Sequence, residues 1–192
     1  MKSLLAPILA VHVMSIPVSV EPAKGVFLVA KSSIDGGPFH QSVVLLLAHD
    51  EGGTLGVIVN RRTEIPIVKA VPELNLSERS YEFFFGGPVG LDGLFFVFRS
   101  DVPRDNVEFV IKGVYFSGDR SLLDSLIDND VKDSEIHFFL GHSGWAPGQL
   151  DVEILRGDWH LLHADIFTIF EKDPSKMWKE LSKKKGLRAS TL

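Results

Sequence analysis

Between Gly141 and Ile154 the chain gathers an imidazole (His142), a hydroxyl (Ser143), an indole (Trp145), an amide (Gln149) and two carboxylates (Asp151, Glu153) among three glycines and a proline. Histidine, serine and carboxylate together are the parts of a hydrolytic nucleophile system. Gly141-His142-Ser143-Gly144-Trp145 also approaches the G-x-S-x-G elbow, in which flanking glycines let serine protrude from a strained strand-to-helix turn. The elbow needs a small residue where Trp145 stands. Its downstream acid and histidine (Asp158 or Asp165, His160 or His163) are crowded into the next twenty or so residues. A hydrolase using His142, Ser143 and Glu153, or Asp151, therefore stands as the alternative. The first expectation is a glycine-rich turn in which Ser143 caps backbone N–H groups.

Two further clusters sit at strand ends. Asn60-Arg61-Arg62 closes one apolar run, and Gly86-Gly87-Pro88-Val89 follows another. Exposed backbone N–H groups beside such residues can form an anion or partner pocket. The alternative is a left-handed turn at Asn60 with Arg61 paired to an acidic neighbour. Asp50-Glu51-Gly52-Gly53-Thr54-Leu55-Gly56 lacks the lysine of a phosphate loop and precedes a strand, so it reads as a hairpin turn. The seven histidines show no i, i+4 helical pairing with one another or with a carboxylate. With no cysteine in the chain, no metal site and no cofactor are predicted.

The elements that must carry these groups follow from apolar periodicity and turn signals. Strands are predicted at 25–30, 42–48, 54–59, 81–85, 94–99, 107–111, 114–117, 136–140 and 159–163. Helices are predicted at 67–74, from an Asp119 or Ser121 cap to 129, at 149–156, and from the Asp173-Pro174 start to about residue 185. Strands come mainly first and helices later, without βαβ alternation. That pattern predicts one α+β domain, a large mixed β-sheet flanked by a few helices.

At 192 residues, 45% hydrophobic and 23% charged, the chain has enough apolar material for a packed core without disulfides. Residues 172–192 carry seven basic side chains against Asp173 and Glu180, a net of +5, which leaves −10 on residues 1–171 from the total of −5. An acidic body repels phosphate backbones and argues against direct nucleic-acid binding. The basic end reads as a solvated helix followed by a short tail at 187–192. Residues 1–23 read either as a signal peptide cleaved after Ala23 or as a disordered extension. Their apolar stretch is interrupted by Pro7 and His12 and is too short to be a transmembrane helix. Met14 is a second candidate start.

Five ordered segments together carry a resemblance. They are Gly25 to Ala30, Phe39 to Leu47, His49 to Arg61, Phe85 to Val89 and Gly141 to Glu153. In order and spacing they resemble the YqgE/AlgH family of bacterial proteins, with the domain expected over residues 24–186. The resemblance implies a single α+β domain and no established catalytic activity; the family name reflects a proposed role in transcriptional regulation. It also implies a cytoplasmic location, whereas a functioning signal at 1–23 would make the protein periplasmic. Arg62 stands where the family pattern has proline, so the turn there is expected to differ.

Three function classes follow. The first is a non-catalytic binding or regulatory module that presents the 141–153 segment, with Asn60, Arg61, Gly86 and Gly87, to a protein or small ligand. The second is the hydrolase. The third is a transcriptional regulator, for which no helix-turn-helix pattern is present. The site expected for the first class has His142, Ser143, Trp145, Gln149 and Glu153 at its surface, with Trp145 and Gln149 facing a common cleft with Asn60.

Overall fold

A computed structural model describes residues 20–72, 81–102, 107–129 and 131–184. Most of the 1–23 segment, the end of the helix expected at 67–74 and the tail at 187–192 lie outside the described residues. Nine strands are present: β1 (Val26–Ala30), β2 (Val43–Asp50), β3 (Gly53–Ile58), β4 (Glu82–Phe85), β5 (Val89–Arg99), β6 (Glu108–Ile111), β7 (Val114–Ser117), β8 (Ile136–Trp145) and β9 (Trp159–His163). The helices are α1 (Ile67–Ala70), α2 (Arg120–Asp128), α3 (Gln149–Arg156), α4 (Ile166–Phe170) and α5 (Pro174–Leu181), with a 3₁₀ turn at Asp133–Glu135. No helix among the described residues is long and apolar enough to cross a membrane.

The strands form one sheet in the order β6-β7-β5-β8-β3-β2-β1-β9, antiparallel along that path, with β4 added parallel to β8. This is the α+β domain with a large mixed sheet. β8 joins its two halves. Its first part pairs with β5 and β4, and its last three residues pair with β3 (Thr54↔Trp145, Leu55↔Gly144, Gly56↔Ser143). The segment expected to leave the sheet after Leu140 is therefore strand as far as Trp145. The glycines that read as a turn serve a close crossing instead: a Cβ on Gly141 would lie 2.8 Å from the carbonyl oxygens of Gly87 and Val89.

Alternation of side chains distributes the core over three clusters. Phe27, Val29, Leu45 and Val57 from one half meet Val97, Val114, Phe116 and Phe139 from the other in a central layer. On the outer face of the first half, Leu28, Val44, Leu46 and Ile58 pack with Trp145, Leu150 and Trp159 against α3. On the outer face of the second, Phe96, Phe98, Tyr115 and Phe138 pack under Leu123 and Leu126 of α2. Burial on both faces explains why β1 and β2 read as continuous apolar runs.

α4 and α5 close the central layer with Ile169, Met177 and Leu181. α5 starts as expected from the Asp173 cap, whose side chain accepts from the N–H of Ser175, with proline at the first turn. α4 was not expected. Asp165 caps it by accepting from the Thr168 N–H at 2.8 Å, and Thr168 Oγ1 donates to the other carboxylate oxygen at 2.7 Å.

Candidate functional site

The strand-end cluster at Asn60 proves to be a structural joint. Asn60 Oδ1 accepts from the N–H of Val43 at 2.7 Å, and its Nδ2 donates to the carbonyl of Gln41 at 3.0 Å. The amide thus stands in for a β-partner where β2 begins. Positive φ falls on Gln41, not on Asn60 as the turn alternative had it. Arg61 has no acidic partner among the described residues. It donates from Nη1 to the carbonyl of Pro38 at 2.6 Å and from Nη2 to that of His40 at 2.9 Å, and its guanidinium lies 5.9 Å from the centroid of the Phe85 ring. Burial lowers its pKa from the usual value. Both residues tie the loop before β2 to the end of β3. Arg62 pairs with Glu82 at 2.6 Å.

Gly86 and Gly87 are required by sterics. A Cβ on Gly86 would sit 2.3 Å from the carbonyl oxygen of Gly141, and one on Gly87 would sit 2.3 Å from the carbonyl carbon and oxygen of His142. Here the chain leaving β4 crosses β8 backbone to backbone. Ser143 locks the crossing: it is fully buried, and its hydroxyl donates to the carbonyl of Gly86 at 3.1 Å. It does not cap a turn, and it does not protrude.

Trp145 is 4% exposed, which corrects the expectation that it faces a cleft with Gln149 and Asn60. Its indole stacks on Phe39 (centroids 5.5 Å apart, planes 19° apart) and meets Trp159 edge-on at 6.0 Å. The cause lies on α3. Glu153 Oε2 accepts from the indole N–H of Trp145 at 2.9 Å and from that of Trp159 at 2.8 Å, while Oε1 accepts from Gln149 Nε2 at 3.2 Å. Gln149 Oε1 in turn accepts from the N–H of Ala146. One carboxylate turns both tryptophans inward and pins α3 to the sheet. Removing it leaves two indole N–H groups to be satisfied in a dry site. Glu153→Ala is therefore expected to cost about 2 kcal/mol in urea unfolding and to shift tryptophan emission, with Glu153→Gln recovering most of the loss.

His142 differs from the rest of the set. Its ring stands edge-on to Phe95 at 5.5 Å, and its Nδ1 is buried with no hydrogen-bond partner. Burial lowers its pKa, favouring the neutral imidazole. With Ala48, Leu55 and Val89 it lines a cleft of about 480 Å³ bounded by the β2–β3 turn and by the backbone of Gly144 and Trp145. Leu55 and Phe95 also border the central core, so the cleft is the mouth of that layer, a location where sheet proteins commonly hold ligands. Asn60, Arg61 and Arg62 line a separate cleft of about 430 Å³ with Asp173, Pro174 and Ser175. The sequence-predicted residues are thus brought to two places.

His137 was read only as a strand histidine. It is 4% exposed, between the rings of Phe84 and Phe170 at 5.1 and 5.0 Å, and its Nδ1 has no partner. Burial first, and the charge of Arg62 second, lower its pKa to about 4. No signal in the sequence distinguishes it from the other histidines. Among the described residues no three His, Asp or Glu side chains converge as metal ligands.

The AlgH-like family model matches residues 27–190. The chain is 34% identical over 176 residues to a UPF0301 protein of Methylococcus capsulatus, covering 90% of this chain and 96% of that one. It is 33% identical over 165 residues to a UPF0301 protein of Chlorobium luteolum, covering 85% and 86%. Among solved structures it is similar to protein DIP2367 from Corynebacterium diphtheriae, with a TM-score of 0.71, 26% identity and coverage of 85% and 87%. The solution structure of the AlgH protein from Pseudomonas aeruginosa gives a TM-score of 0.66 at 23% identity, covering 83% and 86%, a likeness of fold.

Proposed function

The chain belongs to the AlgH-like family, and from that premise we propose that it is a non-catalytic binding module whose ligand or partner seats in the cleft over His142. The observation that carries this reading is the fate of the polar groups between 141 and 153. Ser143 and Glu153 are consumed by internal hydrogen bonds, whereas His142 reaches an open cleft with apolar walls. A hydrolase would need a nucleophile and base within reach of a substrate. The buried Ser143 hydroxyl, bonded to a main-chain carbonyl, is poorly placed for that. The acidic body gives no support to direct DNA contact.

A metabolite and fragment screen by thermal shift, followed by amide chemical-shift mapping of the hits, tests the proposal. Perturbations are expected to centre on Gly53, Leu55, Val89 and His142, and His142→Ala should weaken binding about tenfold, or ~1.4 kcal/mol. Ser143→Ala should cost about 1 kcal/mol of stability and leave affinity within about twofold. Ligands that map to the outer face of α3, or that bind His142→Ala unchanged, would remove the proposal. Loss of a biological activity in Ser143→Ala with stability intact would restore the hydrolase.

A further inference from the structure

The floor of the His142 cleft is apolar and its rim is acidic. Val89 is 44% exposed and Leu91 51%, beside half-buried Ala48 and Leu55. Leu91 rides on a bulge, because the β5–β8 register breaks between Val89 and Leu94 and Gly90 adopts a φ of 60°. That bulge leans on the crossing: a Cβ on Gly141 would meet Leu91 Cδ2 at 3.0 Å. Two carboxylates stand at the tip of the β2–β3 turn, Asp50 and Glu51, and a third, Asp92, stands on the bulge. All three are exposed. Among the described residues none of them enters an ion pair. No lysine or arginine lines the cleft.

We infer that the occupant is a segment of a partner protein in which an apolar side chain is flanked by lysine or arginine. The inference rests on the reading of this cleft as a binding site and adds the chemistry of what enters it. An exposed leucine and valine beside a concave floor favour an aliphatic or aromatic anchor, and central apolar anchors carry most of the energy of protein contacts. Three unpaired carboxylates at the rim favour cationic flanks, which steer encounter and reject wrong partners. An acidic segment, or the phosphates of a nucleic acid, would meet like charge at the rim and across a body of net −10. His142, held neutral by its burial, adds no positive charge to oppose a basic segment.

The test uses the full chain and fluorescent peptides of about a dozen residues, one with leucines between lysines, one with the lysines changed to glutamate and one with the leucines changed to serine. Fluorescence anisotropy is expected to show binding of the first alone, weakening severalfold as salt is raised beyond the screening range of surface charges. Glu51→Gln with Asp92→Asn should weaken it about fivefold, and Leu91→Ser by a similar factor, through rim charge and floor contact respectively. Neutralising the remote Asp128 on α2 should change nothing. Equal losses from Asp128→Asn and from the rim pair would overturn the inference by exposing diffuse attraction. Tighter binding of the acidic or serine peptide, mapped to His142, would overturn it while leaving the cleft a binding site. Mapping of the basic peptide and of the fragment hits away from His142 would remove both.

Discussion

Gly87→Ala is expected to abolish folding or to cost about 4 kcal/mol or more, the range reached when a new atom has no space and a strained backbone to stand on. The added Cβ would lie 2.3 Å from the carbonyl group of His142 and 2.5 Å from the nitrogen of Ser143. These are main-chain atoms of β8, which pairs with β3, β4 and β5, so they cannot move without breaking the joint between the two halves of the sheet. The φ of 151° at Gly87 adds a backbone penalty for any L side chain. Gly148 is the internal control. It is left-handed at φ 73°, yet a Cβ there would meet nothing within 4 Å. Gly148→Ala should therefore cost only the conformational term, about 1 kcal/mol. Soluble yield, far-UV circular dichroism and urea unfolding of the two variants compare steric with conformational cost directly. A Gly87→Ala protein no less stable than Gly148→Ala would show that the crossing relaxes.

That crossing also explains what could be read from the chain and what could not. β7, α3 and β9 were legible to the residue, because each is bounded by local signals such as the left-handed Gly157 that ends α3. Local signals failed at 141–145. Two glycines in five residues read as a turn, but Thr54 to Gly56, nearly ninety residues earlier, supply a ladder that makes the segment strand. α4 was missed because five residues carry too little periodicity to read. The same distance effect governs the site. Asn60, Ser143 and Glu153 have the chemistry of surface reagents in sequence, and only the fold reveals that their partners are Val43, Gly86 and two indoles. His142 kept its place as a candidate because no partner reached it. A glycine-rich polar run is thus ambiguous in kind: close backbone approach and ligand access call for the same residues, and only the partners separate them.

The second large effect concerns acid. His137 has a pKa near 6.5 in an unfolded chain and about 4 in the fold, lowered by burial between two phenyl rings and then by the charge of Arg62. Between those values the unfolded state binds the proton and the folded state does not. Stability must therefore fall as pH drops through 6.5, and the loss is complete only below about 4. The window corresponds to about 3 kcal/mol in total, and to about 2.5 kcal/mol by pH ~4.5. His142 and His160, also lowered by burial, act in the same direction. The variant His137→Phe isolates the contribution of His137. Phenylalanine replaces the unpartnered Nδ1 with carbon, and the adjoining cleft of about 270 Å³ gives the larger ring room. At neutral pH the variant should be as stable as the parent or slightly more so, since a buried polar atom without a partner is removed. Urea unfolding of both proteins across this range should show the parent losing about 2.5 kcal/mol more than the variant between neutrality and pH ~4.5. Parallel curves would mean that His137 is protonated in the fold as readily as in the open chain. The neutral imidazole would then not be part of what holds β4, β8 and α4 together.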